Sequence, residues 1–246
     1  MSTLIVTAHP DPDSLTHSAA RRLRELIGTE GSALAHLAQE GFDPRFSPGD
    51  RRTYVTRGVP DPAVTAEQRR IDAADHLVLV FPVYWWSVPA LLKGWIDRVF
   101  IAGWAFTYDD DDRVVPQLGR VTAHLLPISG TAAESFARHG YTQSFATQIE
   151  RGVVDFCGMR RGVTAFVHDS ESEDGARVAR DVEAAVTAIA SAITGSAPDV
   201  PANLRDQVQA VPGSAQEGVP ARERGEQHHG GEGEQDEADH PEGEQA

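Results

Sequence analysis

Between residues 3 and 194 the apolar positions follow two alternating patterns: short, nearly continuous apolar runs, and longer stretches in which apolar residues return every three or four places. The runs are 3–8 (TLIVTA), 33–38 (ALAHLA), 76–83 (HLVLVFPV), 120–129 (RVTAHLLPIS) and 162–168 (GVTAFVH). Runs of this length, with little polar alternation and many β-branched residues, predict strands buried on both faces of a parallel sheet. Helical spacing lies between them. Leu15, Ala19, Leu23 and Leu26 share one face of LTHSAARRLRELI behind Ser14 as N-cap. PAVTAEQRRIDAA starts behind Asp61 or Thr65, and VPALLKGWIDRVF carries Leu91, Leu92, Trp95, Ile96 and Val99 in register with Pro89 in its first turn. SFATQIERGVVDFCG and the alanine-rich GARVARDVEAAVTAIASAIT complete the set. Residues 41–62, rich in Gly, Pro, Asp and Arg, fit neither pattern and are predicted to form a long ordered loop. Strand alternating with helix predicts a doubly wound α/β domain, in which ligands bind outside the carboxyl ends of the strands where strand order reverses.

The pattern stops near residue 195. From Ser196 the chain has no aromatic residue and no apolar period, and is crowded with Gly, Pro, Glu and Gln. Such a segment buries too little apolar surface to offset its ordering entropy, so residues 196–246 are expected to be a disordered acidic tail beside a folded domain of residues 1–195. The tail holds much of the formal charge of −15. No basic stripe occurs, which argues against nucleic acid as a partner. Cys157 is the one cysteine, so no intrachain disulfide or thiolate cluster can form, and a cytoplasmic protein is expected. No run approaches a membrane span.

Candidate chemistry gathers in the loops that follow the strands. After the first run, HPDPDSLTH (9–17) leads into a helix N-terminus, whose free N–H groups suit an anion; Ser14, Thr16 and His9 would add donors. The loop has neither a GxGxxG fingerprint nor a Walker motif. After the third run come Tyr84, Trp85 and Trp86 and then Pro89, a costly set of aromatics unless a ring, another segment or a second subunit covers them. After the fourth run, Ser129, Gly130 and Thr131 make a tight polar turn, followed by Phe136, His139 and Tyr141. The run YDDDDR (108–113) reads as a solvated hairpin tip, and His228, His229 and His240 as part of a solvated tail, so no metal is expected. Cys157, in the apolar VVDFCGM, reads as structural. Patterns for zincins, redox dithiols, calcium loops and α/β-hydrolases are absent.

The stretch FPVYWWSVPALLKGWIDRVFIAGWAFTY resembles the signature of the NAD(P)H:quinone oxidoreductases, with support from AHPDPDSLTHSA, EGFDPRFSPGD and DFCGM. The resemblance covers residues 3–194. It implies a flavodoxin-like, five-stranded parallel sheet of order 2-1-3-4-5 with helices on both faces, and a flavin cofactor, FAD or FMN. His9, Ser14, Leu15 and Thr16 would hold the phosphate side. Pro82, Val83, Tyr84, Trp85 and Trp86 would line the isoalloxazine, and Ser129, Gly130 and Thr131 would close its far edge. Trp104, Phe106 and Tyr108 fall where the family places pocket-capping aromatics, often across a dimer interface. Two departures stand out: the Tyr and His that mammalian-type members carry after the fourth strand are matched by Phe136 and Thr142, and a glycine pair is reduced to Gly130. His139 and Tyr141 are the alternative catalytic candidates.

The activity implied is hydride transfer from NADH or NADPH through the flavin to a quinone or similar planar electrophile, by a ping-pong mechanism in a homodimer. Two other readings are an ancillary regulatory subunit of a potassium-efflux-type transporter, which would co-purify with membranes, and a one-electron flavodoxin-like carrier. The carrier reading is opposed by the length, by the missing flavodoxin phosphate loop and by a pocket sized for a second ring.

Overall fold

The apolar runs pair side by side in a computed structural model, which describes residues 1–195. In chain order the elements are β1 (Thr3–Thr7), α1 (Leu15–Ile27), β2 (Ser32–His36), α2 (Pro48–Thr56), α3 (Pro62–Asp72), β3 (His76–Pro82) and α4 (Ala90–Val99). A small hairpin follows, β4 (Phe106–Tyr108) and β5 (Val114–Pro116), then β6 (Thr122–Ile128), α5 (Ala133–His139), α6 (Tyr141–Phe145), a π-helical segment (Ala146–Asp155), β7 (Arg160–Thr164) and α7 (Gly175–Thr194). The main sheet is parallel throughout, in the order β2-β1-β3-β6-β7. This is the expected flavodoxin-like order. The expectation of a disordered tail, with its histidines, falls on residues outside those described.

Each central strand is apolar on both sides because each side meets helices. Leu77, Leu79 and Phe81 of β3 enter one core with Leu92, Trp95 and Val99 of α4, while Val78 and Val80 enter the other with Ala19 and Leu23 of α1 and Val182, Val186 and Ile189 of α7. Complete burial of one such aliphatic or aromatic side chain is worth about 1.5–3 kcal/mol. The Trp95 indole, wholly buried, donates to Glu67 at 2.9 Å, and Glu67 is paired with Arg70. No buried indole N–H is left without an acceptor there.

Two sequence expectations change. The stretch 41–62 is not loop throughout, because it contains α2. Ser47 and Asp50 form a capping box with Pro48 in the first turn, a start signal that the Gly/Pro-rich composition masked. No residue of α2 is buried. The helix is tied down through Asp50, which accepts from the buried Arg98 of α4 at 3.1 Å. The fifth strand begins earlier and ends sooner than 162–168, since the edge ladder shifts register between Ala123 and Leu125, and beyond Thr164 the chain meets β6 through single hydrogen bonds, Ala165 to Leu125 and Val167 to Pro127 at 2.9 Å each, and an isolated bridge between Val167 and Ile128. The acidic run 109–112 is a hairpin tip as expected, with Asp109 Oδ1 accepting from the N–H groups of Asp111 and Arg113. Among the described residues no three acidic, His or Cys side chains converge as a metal site, and no helix is long and apolar enough to cross a membrane.

Candidate functional site

All five strands point the same way, so loops remote in sequence leave from one edge of the sheet. Backbone hydrogen bonds lace their first residues together: Ala8 donates to Val80 at 3.3 Å, Val83 to Ile128 at 2.7 Å and Ser129 to Val167 at 2.8 Å. Strand order reverses between β1 and β3, so the crevice expected for a ligand opens between the loop from His9 and the loop from Val83.

On the β1 side, Ser14 caps α1, and its hydroxyl accepts from the His17 N–H at 3.4 Å. Leu15 and Thr16 occupy the first two helical positions, whose N–H groups have no acceptor within a helix. Thr16 is buried. His9 Nδ1 accepts from the Asp11 N–H at 3.0 Å, which places a proton on its other nitrogen when the ring is neutral. His17 was not anticipated. It is 2 % exposed, its Nε2 has no partner, and its ring lies 4.6 Å from that of His36 and 6.3 Å from that of His9. Burial first, then the neighbouring His36, hold it below the ordinary histidine value. Its signal in the sequence was position alone, three residues after a helix cap.

On the β3 side, the aromatic loop is a two-residue turn. Tyr84 and Ser87 exchange both backbone hydrogen bonds at 3.1 Å, and between them Trp85 and Trp86 take positive φ angles of 48° and 59°. Positive φ at both central residues is the mark of a type I′ turn, normally built from Asn and Gly. A bulky side chain in that region costs on the order of 1–3 kcal/mol, strain that persists where the surroundings enforce it. Val83 and Tyr84 spend their N–H groups inside the protein, on Ile128 and Ser87. Those of Trp85 and Trp86 are left without an acceptor among the described residues. Pro82 and Val83 are half-buried, Tyr84 is exposed, and Trp85 is 87 % exposed. Trp86 stacks on Tyr141, with ring centroids 4.1 Å apart at 22°.

On the β6 side, Ser129 is buried, Gly130 is exposed and Thr131 donates its N–H to Ser129 Oγ at 3.1 Å. Tyr141 joins this group through Trp86, and exposed His139 follows it, stacked on Tyr141 at 5.5 Å. Phe136, expected in a loop, lies in α5, is 1 % exposed and packs edge-on against Tyr141. Trp104 and Phe106 do not present free rings. Trp104 bonds to Asp72 at 3.1 Å and Phe106 is in the core against Phe156, which leaves only Tyr108 exposed on its hairpin. Cys157 is buried, and burial pushes its thiol up to about 12, in keeping with a structural role.

A helix N-terminus, a strained turn with two open N–H groups and a half-buried aromatic pair thus share one edge of a flavodoxin-like sheet. The family profile for the flavodoxin-like fold matches residues 1–192, and the chain belongs to that family. Its curated relatives include NAD(P)H dehydrogenase [quinone] 1 of Rattus norvegicus, 28 % identical over 177 residues, which cover 64 % of this chain and 65 % of that one. Ribosyldihydronicotinamide dehydrogenase [quinone] of Mus musculus is also 28 % identical, over 64 % of this chain and 77 % of its own length. The chain thus spans slightly less than two thirds of the rat protein. Among solved structures, an NAD(P)H:quinone oxidoreductase from Methanothermobacter marburgensis superposes with a TM-score of 0.69 at 22 % identity, over 76 % of this chain and 95 % of the other. An FMN-dependent NADH-azoreductase from Bacillus anthracis in complex with FMN gives 0.61 at 19 %, over 78 % and 99 %. At these identities the two structures establish the fold.

Proposed function

We propose that the chain is a flavin-dependent NAD(P)H oxidoreductase whose acceptor is a quinone or a similar planar electrophile. The observation that carries the reading is the Trp85–Trp86 turn. Two tryptophans are held in a left-handed conformation with both N–H groups open, which is wasteful for stability and useful for an acceptor-rich ring laid against them. The relatives support it, since NAD(P)H dehydrogenase [quinone] 1 and ribosyldihydronicotinamide dehydrogenase [quinone] are among the curated proteins similar to this chain in sequence. The residues present fit a flavin. The N-terminal turn of α1 offers N–H groups and the positive end of its dipole to a phosphate, and the Ser129–Thr131 turn offers polar backbone to the ring's far edge.

A flavin bound there would take hydride from NAD(P)H and pass it to the acceptor. The chain's own part is placement. Trp85 and Trp86 N–H groups would stabilise negative charge on the ring, the Trp86–Tyr141 stack would wall the space that donor and acceptor occupy in turn, and Tyr141 would donate from its hydroxyl to the bound substrate with His139 beside it. One shared space implies ping-pong kinetics. The exposed Tyr84, Trp85 and Tyr108 would be covered in a homodimer.

The deciding experiment is the visible spectrum of the purified protein before and after anaerobic NADPH, with the released cofactor identified by mass. A flavin band that bleaches and then returns on adding quinone is the expected result, and the mass separates FMN from FAD. A protein that takes up neither flavin would refute the reading.

A further inference from the structure

The Ser129–Thr131 turn has little in its own sequence to stiffen it, with exposed Gly130 at its centre. Its shape is imposed by the loop leaving β7. Ser129 donates to the Val167 carbonyl at 2.8 Å and accepts from the Ser170 N–H at 3.0 Å, the Asp169 N–H donates to the Thr131 carbonyl at 3.4 Å, the Glu171 carboxylate stands against Gly130, and the His168 side chain reaches across to the turn as a hydrogen-bonding group. His168 Nδ1 lies 3.1 Å from the Thr131 carbonyl. A carbonyl can only accept, so Nδ1 carries the proton and the tautomer is set. The ring is clamped: it stacks on Phe166 at 5.1 Å and 6°, and meets Phe136 edge-on at 4.9 Å. Burial holds His168 below the ordinary histidine value, against the opposing pull of the Thr131 hydrogen bond and of nearby Asp169 and Glu134. Phe136 also touches Tyr141, on which Trp86 stacks. A continuous run of rings therefore joins this imidazole to the aromatic turn on the opposite side of the site.

We propose that His168 is the positioning residue of the site, holding the Ser129–Thr131 turn through the Thr131 carbonyl in the conformation that meets the far edge of the flavin. The proposal rests on the flavin reading above, and assigns to the β7 loop a part that neither the sequence pattern nor the resemblance suggested.

The test compares His168→Asn, His168→Gln and His168→Phe with the unaltered protein, each reconstituted with FMN and with FAD. An asparagine amide nitrogen can take the place of Nδ1, whereas glutamine places its amide nearer the position of Nε2. The asparagine variant is therefore expected to bind flavin within about threefold of the unaltered protein, with the same absorbance band, while glutamine and phenylalanine weaken binding at least tenfold and displace the band. If the oxidised and reduced forms are affected unequally by tenfold, the two-electron midpoint potential moves by about 30 mV. A merely structural histidine would lower the melting temperature in all three without separating asparagine from glutamine, and that result would overturn the proposal. Normal binding and an unmoved band in the glutamine variant would overturn it as well. Failure of the unaltered protein to bind either flavin would remove the flavin reading itself, and is distinguished from both because it needs no variant.

Discussion

His124 links three strands through its ring, and that arrangement fixes how stability must depend on pH. The ring is 1 % exposed; Nδ1 accepts from the Val163 N–H at 3.0 Å, at the point where the β6–β7 ladder shifts register, and Nε2 lies 3.0 Å from Nδ1 of the buried His76. Because Nδ1 accepts, Nε2 must be the donor to His76, and a proton added to His124 has no acceptor to meet. Burial first, then repulsion from His76, push its pKa down to about 4 from an ordinary 6.5. His76 is held down too, by burial, with Asp75 pulling the other way and Arg160 and the N-terminus adding to the depression. A histidine depressed in the fold takes its proton first in the unfolded chain. Its contribution is therefore complete above pH 6.5 and is lost as pH falls toward 4. At about 1.4 kcal/mol per pH unit, the loss is about 2 kcal/mol by pH 5 and about 3 kcal/mol by pH 4, a sizeable part of the 5–15 kcal/mol that typically holds a domain. The contrast is His124→Leu, similar in volume and unable to titrate. It should be less stable at pH 7 by about 1–3 kcal/mol, because the Val163 N–H loses its acceptor, and the two stabilities should converge as pH falls. Urea unfolding at pH 7, 6, 5 and 4 measures the difference, and the His124 Cε1–H resonance gives the titration directly. Parallel pH dependences in the two proteins, or a titration near 6.5, would refute the reasoning.

Other perturbations have equally definite outcomes. Trp85→Asn places at φ 48° a residue that tolerates the left-handed region, so it should raise thermal stability by about 1 kcal/mol while weakening flavin retention; a lower melting temperature would show that the turn is not strained. Gly94→Ala should destabilise despite the better helix propensity of alanine, because its Cβ would stand 2.1 Å from the Pro44 carbonyl oxygen in backbone that cannot give; a net loss of about 1–2 kcal/mol in urea unfolding is expected. Arg98→Met leaves the Asp50 carboxylate, its side chain only 7 % exposed, without its cation and unties α2, and a loss of about 3–5 kcal/mol is expected, with less than 1 kcal/mol refuting the anchor. Cys157, its thiol raised to about 12, should resist a thiol reagent in the folded protein and react at once in denaturant.

What could be read in the chain was what depends on neighbours in sequence. The buried strands announced themselves because central parallel strands are apolar on both faces, and α1 and α7 because their apolar period is long, with the cap of α1, Ser14, also local. The capping box of α2 was equally local, and was missed because Gly and Pro outweighed it in the reading. The aromatic turn was visible as an anomaly and in its family signature, but its strain was not, since nothing in two adjacent tryptophans prescribes positive φ. Tyr141 was named as a candidate, but that its ring stacks on Trp86 depends on β3 and β6 being neighbours in the sheet.

By itself the sequence determined the class of fold, the edge of the sheet that carries the chemistry and the residue types gathered there, because burial period, caps and turn residues act over a few positions. Only the tertiary structure decided which N–H groups stay open, which aromatics go to the core and which to the site, and that His17, His124 and His168 are depressed by burial. Those properties come from desolvation and hydrogen bonding between segments tens of residues apart, and they exist only once the chain has closed around them.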